Sequence, residues 1–226
     1  MTGMLASVNS LDEAEQVLGA QVDIIDLKQP EQGALGALET GLVRQIVAAI
    51  DGRCPVSATI GDLPMQPALV FDAVRAMADT GVDYVKIGFF PGGDWPGTLA
   101  KLGALTGQHD LIAVLFADTQ PDLSIIASLK NAGFKGVMLD TMDKQKGSLT
   151  QVMNTTTIGR FSEQAKVQQL LCGLAGSLRL PDIANLMPYR PDYLGFRGAL
   201  CRLHDRTAAL DMQAIVRIKQ AIIDAA

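Results

Sequence analysis

Short apolar runs alternate with longer amphipathic stretches along the whole chain, and this alternation is the main structural signal in the sequence. Each run is about five to nine residues long and is bounded by glycine, proline or polar residues, which is typical of strands. The eight runs are residues 4–8, 22–28, 55–61, 83–90, 111–118, 136–141, 169–177 and 193–198.

The intervals between the runs carry helical periodicity. In residues 41–51, Val43, Ile46 and Ile50 fall on one helical face, and residues 212–225 are similarly amphipathic. Asn9 or Ser10 is the expected N-cap of the first helix. Strands alternating with helices predict a parallel α/β sheet with right-handed crossovers. Eight such units predict closure into a (β/α)8 TIM barrel; an open doubly wound sheet, which needs no particular strand number, is the alternative.

Side-chain parity divides several runs into an apolar face and a polar face. Successive strand residues point to opposite faces, so Ile25 and Leu27 share one face while Asp26 and Lys28 share the other. The same division recurs in three further runs, whose polar faces carry Ser57, Thr59, Lys86 and Asp140. In a barrel the apolar face packs on the helices, and we expect the polar face to point inward near the C-terminal mouth, where barrel enzymes hold their catalytic groups.

Length and composition fit one globular domain over residues 1–226. The chain is 48% hydrophobic and 19% charged, and no low-complexity linker divides it. Its net charge of −5 argues against nucleic acid or an anionic membrane surface as a partner. The N-terminus lacks the basic and apolar regions of a signal peptide, and the apolar runs are too short to span a bilayer. We therefore expect a cytoplasmic protein.

Cysteine and histidine usage predicts neither disulfides nor a metal site. Cys54, Cys172 and Cys201 are odd in number and irregularly spaced, which favours small buried side chains. His109 and His204 are too few and too isolated to hold a metal ion. The sequence also contains no CxxC, HExxH, Walker A or GxGxxG motif, so no metal and no organic cofactor is expected.

Two lysines and two aspartates on inward faces indicate covalent catalysis. A lysine is a nucleophile only when neutral; burial and a neighbouring ammonium lower its pKa, whereas a carboxylate raises it. Lys28 beside Lys86 could therefore form a Schiff base with a carbonyl substrate, while Asp26 or Asp140 moves a proton on the adjacent carbon. The alternative is a pair of inward salt bridges that only close the barrel.

The ends of the last two runs carry a candidate phosphate site. Gly176 and Ser177 end the seventh run, and Arg197 and Gly198 end the eighth. In this fold the loops after strands seven and eight commonly bind phosphate through backbone N–H groups and a helix N-terminus. The same glycines would also suit ordinary turns.

Taken in order, these motifs resemble the (5-formylfuran-3-yl)methyl phosphate synthase family, also called 4-(hydroxymethyl)-2-furancarboxaldehyde-phosphate synthase. The motifs are DIIDLKQPEQGALGA, VSATIGDLP, DYVKIGF, VMLDTMDK, LAGSL and GFRGALC with a following DR, spread over residues 22–206. The resemblance implies a (β/α)8 barrel and a carbon–oxygen lyase acting on phosphates. Such an enzyme condenses two glyceraldehyde 3-phosphate molecules, with loss of one phosphate and water, for methanofuran-type cofactor biosynthesis.

The resemblance also implies roles for individual residues. By motif position, Lys28 would be the Schiff-base lysine, with Asp26 as its carboxylate neighbour. Lys86 would be the second active-site lysine and Asp140 an acid/base residue. Lys144 would match the lysine of the loop that follows, although Lys146 lies in the same segment. Gly176, Ser177, Arg197 and Gly198 would bind phosphate. Ser57 and Thr59, which strand parity places on inward faces, are also expected to contact the substrate.

Two other functions fit the same residues. One is a different class I (Schiff-base) aldolase acting on another sugar phosphate, and the other is a non-catalytic barrel that binds a phosphate ligand. The sequence does not divide acid and base duties between Asp26 and Asp140. A homo-oligomer is only the general expectation for soluble proteins of this kind.

Overall fold

Eight parallel strands close into a single barrel in the computed structural model, which describes residues 1–225. The strands are β1 (Gly3–Val8), β2 (Ile24–Leu27), β3 (Val56–Thr59), β4 (Tyr84–Gly88), β5 (Asp110–Phe116), β6 (Gly136–Asp140), β7 (Leu171–Leu174) and β8 (Tyr193–Phe196). Each strand pairs with the next in sequence, and β8 pairs back onto β1. The predicted (β/α)8 barrel is confirmed, and the open sheet is excluded.

Helices connect the strands on the outside of the barrel. They are α1 (Leu11–Gly19), α2 (Thr40–Ile50), α3 (Pro67–Ala78), α4 (Trp95–Leu102), α5 (Ile125–Asn131), α6 (Leu149–Val152), α7 (Thr155–Val167), α8 (Leu180–Leu186) and α9 (Met212–Asp224). Ser10 is the N-cap of α1, where its hydroxyl accepts a hydrogen bond from the Glu13 N–H. Among residues 1–225, no helix is both long and apolar enough to cross a membrane.

Two apolar layers lie on opposite sides of the strands, whereas the parity predicted only the outer one. Ile25 and Leu27 of β2 pack outward in the larger cluster, together with Val43 and Ile46 of α2. A smaller cluster fills the barrel interior, and its buried members are Leu5, Ala34, Leu35, Val114, Phe116, Met138, Ala175 and Tyr193. The inner face is therefore apolar through part of the barrel and becomes charged toward the mouth.

Several predicted runs extend past the C-terminal ends of the strands they contain. β2 ends at Leu27, so Lys28 is the first residue of the loop, although its N–H still donates to the Val8 carbonyl at 2.9 Å. β7 ends at Leu174 rather than Ser177, and β8 ends at Phe196 rather than Gly198. In each case the chain stops pairing with the neighbouring strands where its residues turn toward the C-terminal mouth of the barrel.

Candidate active site

The C-terminal ends of the strands open into a cavity of about 390 Å³. Its wall includes three lysines and one aspartate that come from four different parts of the fold. These are Lys28 after β2, Lys86 on β4, Asp140 at the end of β6 and Lys144 in the loop after β6. The structure thus brings together charged residues that lie far apart in sequence.

Asp26 and Lys86 form a buried ion pair, in which Lys86 lines the cavity and Asp26 lies behind it. Lys86 Nζ lies 2.9 Å from Asp26 Oδ1, and the hydroxyls of Ser57 and Ser7 each donate to the Asp26 carboxylate at 2.7 Å. Burial raises the pKa of Asp26, but the charges of Lys86 and Lys28 outweigh it, so the pKa lies below its ordinary value. Asp26 is therefore an ionised carboxylate whose two oxygens are occupied by three donors.

Lys28 is nearly enclosed yet opens onto the cavity. Its side chain is 7% exposed, and its Nζ lies 3.9 Å from Asp140 Oδ2. Burial lowers the pKa of Lys28 to about 7; Asp140 opposes that shift, and the ammonium groups of Lys144 and Lys86 reinforce it. The neutral amine of Lys28 is therefore populated at neutral pH, unlike that of an ordinary lysine.

Asp140 carries the charge that faces both mouth lysines. Lys144 Nζ donates to Asp140 Oδ1 and also to the Thr141 carbonyl. Burial raises the pKa of Asp140, but Lys144 and Lys28 together outweigh this and hold the pKa at about 2. Asp140 is thus ionised at neutral pH and, unlike Asp26, it lines the cavity.

Asp118 fixes the loop that presents Lys144. Its carboxylate accepts the N–H groups of Met142 at 2.7 Å and of Asp143 at 2.9 Å. Lys146, the alternative loop lysine, lies 3.8 Å from Asp118 with a half-exposed side chain and does not line the cavity. The structure therefore brings Lys144 to the candidate site.

The loops after β7 and β8 form the opposite wall. Gly176 has a φ of +110°, and a Cβ added there would lie 2.9 Å from the Thr141 nitrogen, so this close approach to β6 requires glycine. Several backbone N–H groups in these loops donate no hydrogen bond within residues 1–225, and those of Ser177, Leu178, Gly198 and Ala199 are among them. Such N–H groups suit an anion. The seven-residue helix α8 adds little, because Asp182 already accepts the N–H of its N-cap residue.

Arg197 lines the cavity, but its guanidinium is fully engaged elsewhere. It forms an ion pair with Glu13, and it donates to the carbonyls of Ser7 at 3.2 Å, Arg206 at 2.8 Å and Ala208 at 3.4 Å. These contacts, with both Glu13 oxygens, use all five of its N–H donors. Arg197 thus holds the β8 loop and leaves no donor free for a phosphate.

Ser57 and Thr59, also predicted to contact substrate, lie below the cavity wall. The Ser57 hydroxyl is bound to Asp26, and the Thr59 hydroxyl donates to the Gly36 carbonyl at 2.9 Å. The structure does not bring either residue to the cavity lining.

Arg206, for which strand parity and motif position predict no role, lines the cavity and donates to the Gly33 carbonyl at 2.9 Å. It lies beyond β8 in an irregular loop, where strand parity carries no information. Its place in the DR pair of the last motif was the one available signal.

The cysteines take no part in the site. Cys54, Cys172 and Cys201 are all buried and free, as predicted, and burial raises the pKa of each thiol. Within residues 1–225, no three His, Cys, Asp or Glu side chains are grouped as metal ligands.

Solved structures resemble this chain in fold. The 3-hexulose-6-phosphate synthase of Salmonella typhimurium superposes with a TM-score of 0.72, and the match covers all of both chains at 15% identity. At that identity the likeness shows the barrel alone.

Sequence relatives show the family. A family model described as 4-HFC-P synthase matches residues 4–219. A Methylorubrum extorquens protein, provisionally named a (5-formylfuran-3-yl)methyl phosphate synthase, is 42% identical over 219 residues, covering 97% of this chain and 91% of that protein. The (5-formylfuran-3-yl)methyl phosphate synthase of Methanopyrus kandleri is 30% identical over 226 residues, covering 95% of each. The resemblance drawn from the motifs is confirmed, and the chain belongs to the 4-HFC-P synthase family.

Proposed function

We propose that this enzyme condenses two glyceraldehyde 3-phosphate molecules into (5-formylfuran-3-yl)methyl phosphate through a Schiff base on Lys28. The overall reaction is that of a carbon–oxygen lyase, because phosphate and water leave, and its product would serve a methanofuran-type one-carbon carrier. The observation that carries the proposal is the enclosed Lys28 amine, which opens onto the cavity 3.9 Å from Asp140. The names of the relatives support the product.

The first step needs a neutral amine. An unperturbed lysine, with a pKa near 10.5, is almost entirely protonated at pH 7, whereas a pKa of about 7 leaves close to half of Lys28 neutral. The neutral fraction thus rises by roughly a thousandfold. Lys28 Nζ attacks the substrate aldehyde, and loss of water from the carbinolamine gives the imine.

Asp140 is the better placed of the two aspartates to act as the base. Asp26 is held by Lys86 and two serine hydroxyls below the wall, whereas Asp140 lines the cavity beside Lys28. Asp140 removes a proton from the carbon next to the imine, and the resulting enamine attacks the aldehyde of the second triose phosphate. Elimination of phosphate from the second triose follows, and ring closure occurs when one of its oxygens attacks the imine carbon and expels the Lys28 amine. Dehydration then gives the aromatic ring.

A protonated lysine supplies the acid. The lowered pKa values of Asp26 and Asp140 leave both carboxylates without a proton to donate at neutral pH. Lys144 is hydrogen-bonded to Asp140 in the cavity wall, so it can pass a proton to a leaving oxygen. Lys86, paired with Asp26, contributes positive charge near the substrate.

The covalent step is tested by borohydride reduction in the presence of glyceraldehyde 3-phosphate, followed by peptide mapping. We expect one reduced adduct, on Lys28, which is absent from Lys28→Ala and from Lys28→Arg because a guanidinium stays charged. Lys146→Ala is the matched control and should label like the native enzyme. An adduct on another lysine, or none at all, would contradict the assignment.

The overall reaction is tested by product analysis with glyceraldehyde 3-phosphate as sole substrate. We expect a furan aldehyde phosphate and inorganic phosphate in equal amounts, measured by mass spectrometry and a phosphate assay. A different sugar phosphate product would instead identify another class I aldolase. If the Lys28 imine is trapped but no furan product forms, only the imine step of the proposal would be supported.

A further inference from the structure

Arg206 is a half-buried cation in the cavity wall that lacks a nearby counter-ion. Among the ion pairs of residues 1–225, none includes Arg206, so no carboxylate lies within 4.0 Å of its guanidinium. Withdrawing a charge from water is costly unless an opposite charge approaches it. The more distant carboxylates that act on its charge are those of Asp140 and Asp62.

The guanidinium is held in place by one hydrogen bond. Arg206 Nη2 donates to the Gly33 carbonyl at 2.9 Å, the single hydrogen bond that this side chain makes within residues 1–225. The segment that contains Gly33 is itself fixed, because the Asp62 carboxylate accepts the N–H groups of Ala34 at 2.8 Å and Leu35 at 2.7 Å. Arg206 is therefore oriented while most of its donors stay available.

The backbone of Arg206 lies beside the candidate phosphate loop. A Cβ added to Gly198 would be 3.9 Å from the Arg206 Cβ, and the Arg206 carbonyl accepts a hydrogen bond from Arg197 Nε at 2.8 Å. The Arg197–Glu13 ion pair thus supports the segment that carries Arg206. Arg197 holds the loop, and Arg206 has donors to offer a ligand.

We propose that Arg206 is the side-chain ligand for a phosphate group of the substrate, acting with the free N–H groups of Gly198 and Ala199. A guanidinium presents two parallel donors that match a phosphate, and a doubly charged anion would supply the missing counter-charge. Arg206 would then select phosphorylated aldehydes over unphosphorylated ones. The identity of the ligand as a triose phosphate rests on the proposed function, whereas the binding of phosphate does not.

The test compares Arg206→Gln with Arg202→Gln, using inorganic phosphate as the probe and the whole chain as the protein. Arg202 is an exposed arginine of the same loop that does not line the cavity, so it is the matched control. We expect the Kd for phosphate, measured by calorimetry, to rise by about tenfold or more in Arg206→Gln, and the KM for glyceraldehyde 3-phosphate to rise with it. Arg202→Gln should leave both values within about twofold.

Phosphate binding needs no turnover, so the two proposals fail separately. If the native enzyme makes no furan product, the proposed function fails while the calorimetric comparison still decides the role of Arg206. A folded Arg206→Gln protein that binds phosphate as tightly as the native enzyme would overturn this inference. If that variant does not fold, Arg206→Met decides instead: it keeps an unbranched apolar side chain but has no charge and no donor, so unchanged affinity in that variant would equally overturn the inference.

Discussion

Lys28 and Lys86 differ because of the partners that surround each of them. Lys86 has a carboxylate at 2.9 Å, and that carboxylate is itself held by Ser7 and Ser57. The nearest carboxylate oxygen to Lys28 is Asp140 Oδ2, 3.9 Å away, and the other oxygen of that carboxylate accepts a hydrogen bond from Lys144. A looser pairing at similar burial favours the neutral amine, which is why Lys28 rather than Lys86 is the proposed nucleophile.

Removing the positive charge of Lys144 should make Lys28 more basic. The Lys144 ammonium lowers the pKa of Lys28 directly. It also offsets the negative charge of Asp140, and that negative charge raises the pKa of Lys28. In Lys144→Met both changes act in the same direction. The pH at which borohydride trapping of Lys28 reaches half its maximal rate should therefore be higher in Lys144→Met than in the native enzyme.

Lys146→Met is the control for this experiment, because Lys146 pairs with Asp118 outside the cavity. Its trapping profile should match that of the native enzyme. A Lys144→Met profile that stays unchanged, or moves to lower pH, would show that Lys144 does not act on the Lys28 amine.

Asp26→Asn should destabilise the protein, because it leaves Lys86 buried without a counter-ion. Breaking one partner of a buried pair costs about 3–5 kcal/mol of unfolding free energy. The additional change Lys86→Met should recover much of that loss, since no unpaired charge then remains in the interior. Urea unfolding of the single and double variants measures both effects. A single variant within about 1 kcal/mol of the native protein would mean that Lys86 finds another partner.

Parity in single strands predicted that Asp26 points inward, but it could not predict that Asp26 is fully occupied. The two serines that bind it lie opposite it in the barrel register, Ser7 on β1 and Ser57 on β3. The register between strands depends on closure of the whole sheet and cannot be predicted from the sequence of a single strand. Parity alone therefore predicts that Ser57 contacts the substrate, whereas in the structure its hydroxyl donates to Asp26.

At the scale of elements, the loops after β6 and β7 form one packed unit. Asp118, just beyond β5, fixes the β6 loop, and the N–H of Leu149 in α6 donates to the carbonyl of Gly176 in the β7 loop at 2.9 Å. Gly176 in turn lies against the backbone at Thr141. The lysine of one loop and the free N–H groups of the other are thereby held across the same cavity.

Gly176→Ala should disturb this unit without touching a catalytic side chain. The added Cβ would lie 2.9 Å from the Thr141 nitrogen, and alanine is strained at a φ of +110°. One of the two loops must move, so we expect kcat/KM to fall by about tenfold or more. Gly107→Ala is the control, because no heavy atom lies within 4 Å of a Cβ there. Equal kinetics for the two variants would show that the loop contact is not needed.

Elements were easier to predict from the sequence than the contacts between them. Periodicity identified all eight strands, because each is a continuous apolar run with its own local signal. The loops around the mouth are held by distant partners, as in the bond from Arg206 to Gly33 and the ion pair between Arg197 and Glu13. These contacts join residues that are far apart in the chain, so no local sequence pattern predicts them.

For the whole molecule, a lysine that is easily deprotonated reduces stability. The pKa of Lys28 falls from 10.5 to about 7 on folding, chiefly through burial, so folding disfavours its charged form. Lys28→Met should therefore raise the unfolding free energy at pH 7, by roughly 1–4 kcal/mol, while it abolishes activity. Urea unfolding measures this, and Lys130→Met, at an exposed lysine on α5, is the control that should change little.

The pH dependence gives the sharper test of that effect. Between pH 7 and 10.5 the unfolded chain binds a proton at Lys28 that the folded protein has lost, so native stability should increase with pH across this window. From pH 7 to 8.5 the rise should be about 1–2 kcal/mol in the native enzyme and absent in Lys28→Met. The measurements stop below pH 9 because burial raises the pKa of the Cys172 and Cys201 thiols. Above that pH the unfolded chain loses these thiol protons before the folded protein does, which lowers the unfolding free energy. Parallel stability curves for the two proteins would show that Lys28 is not deprotonated by folding, and the imine step would then need another source of neutral amine.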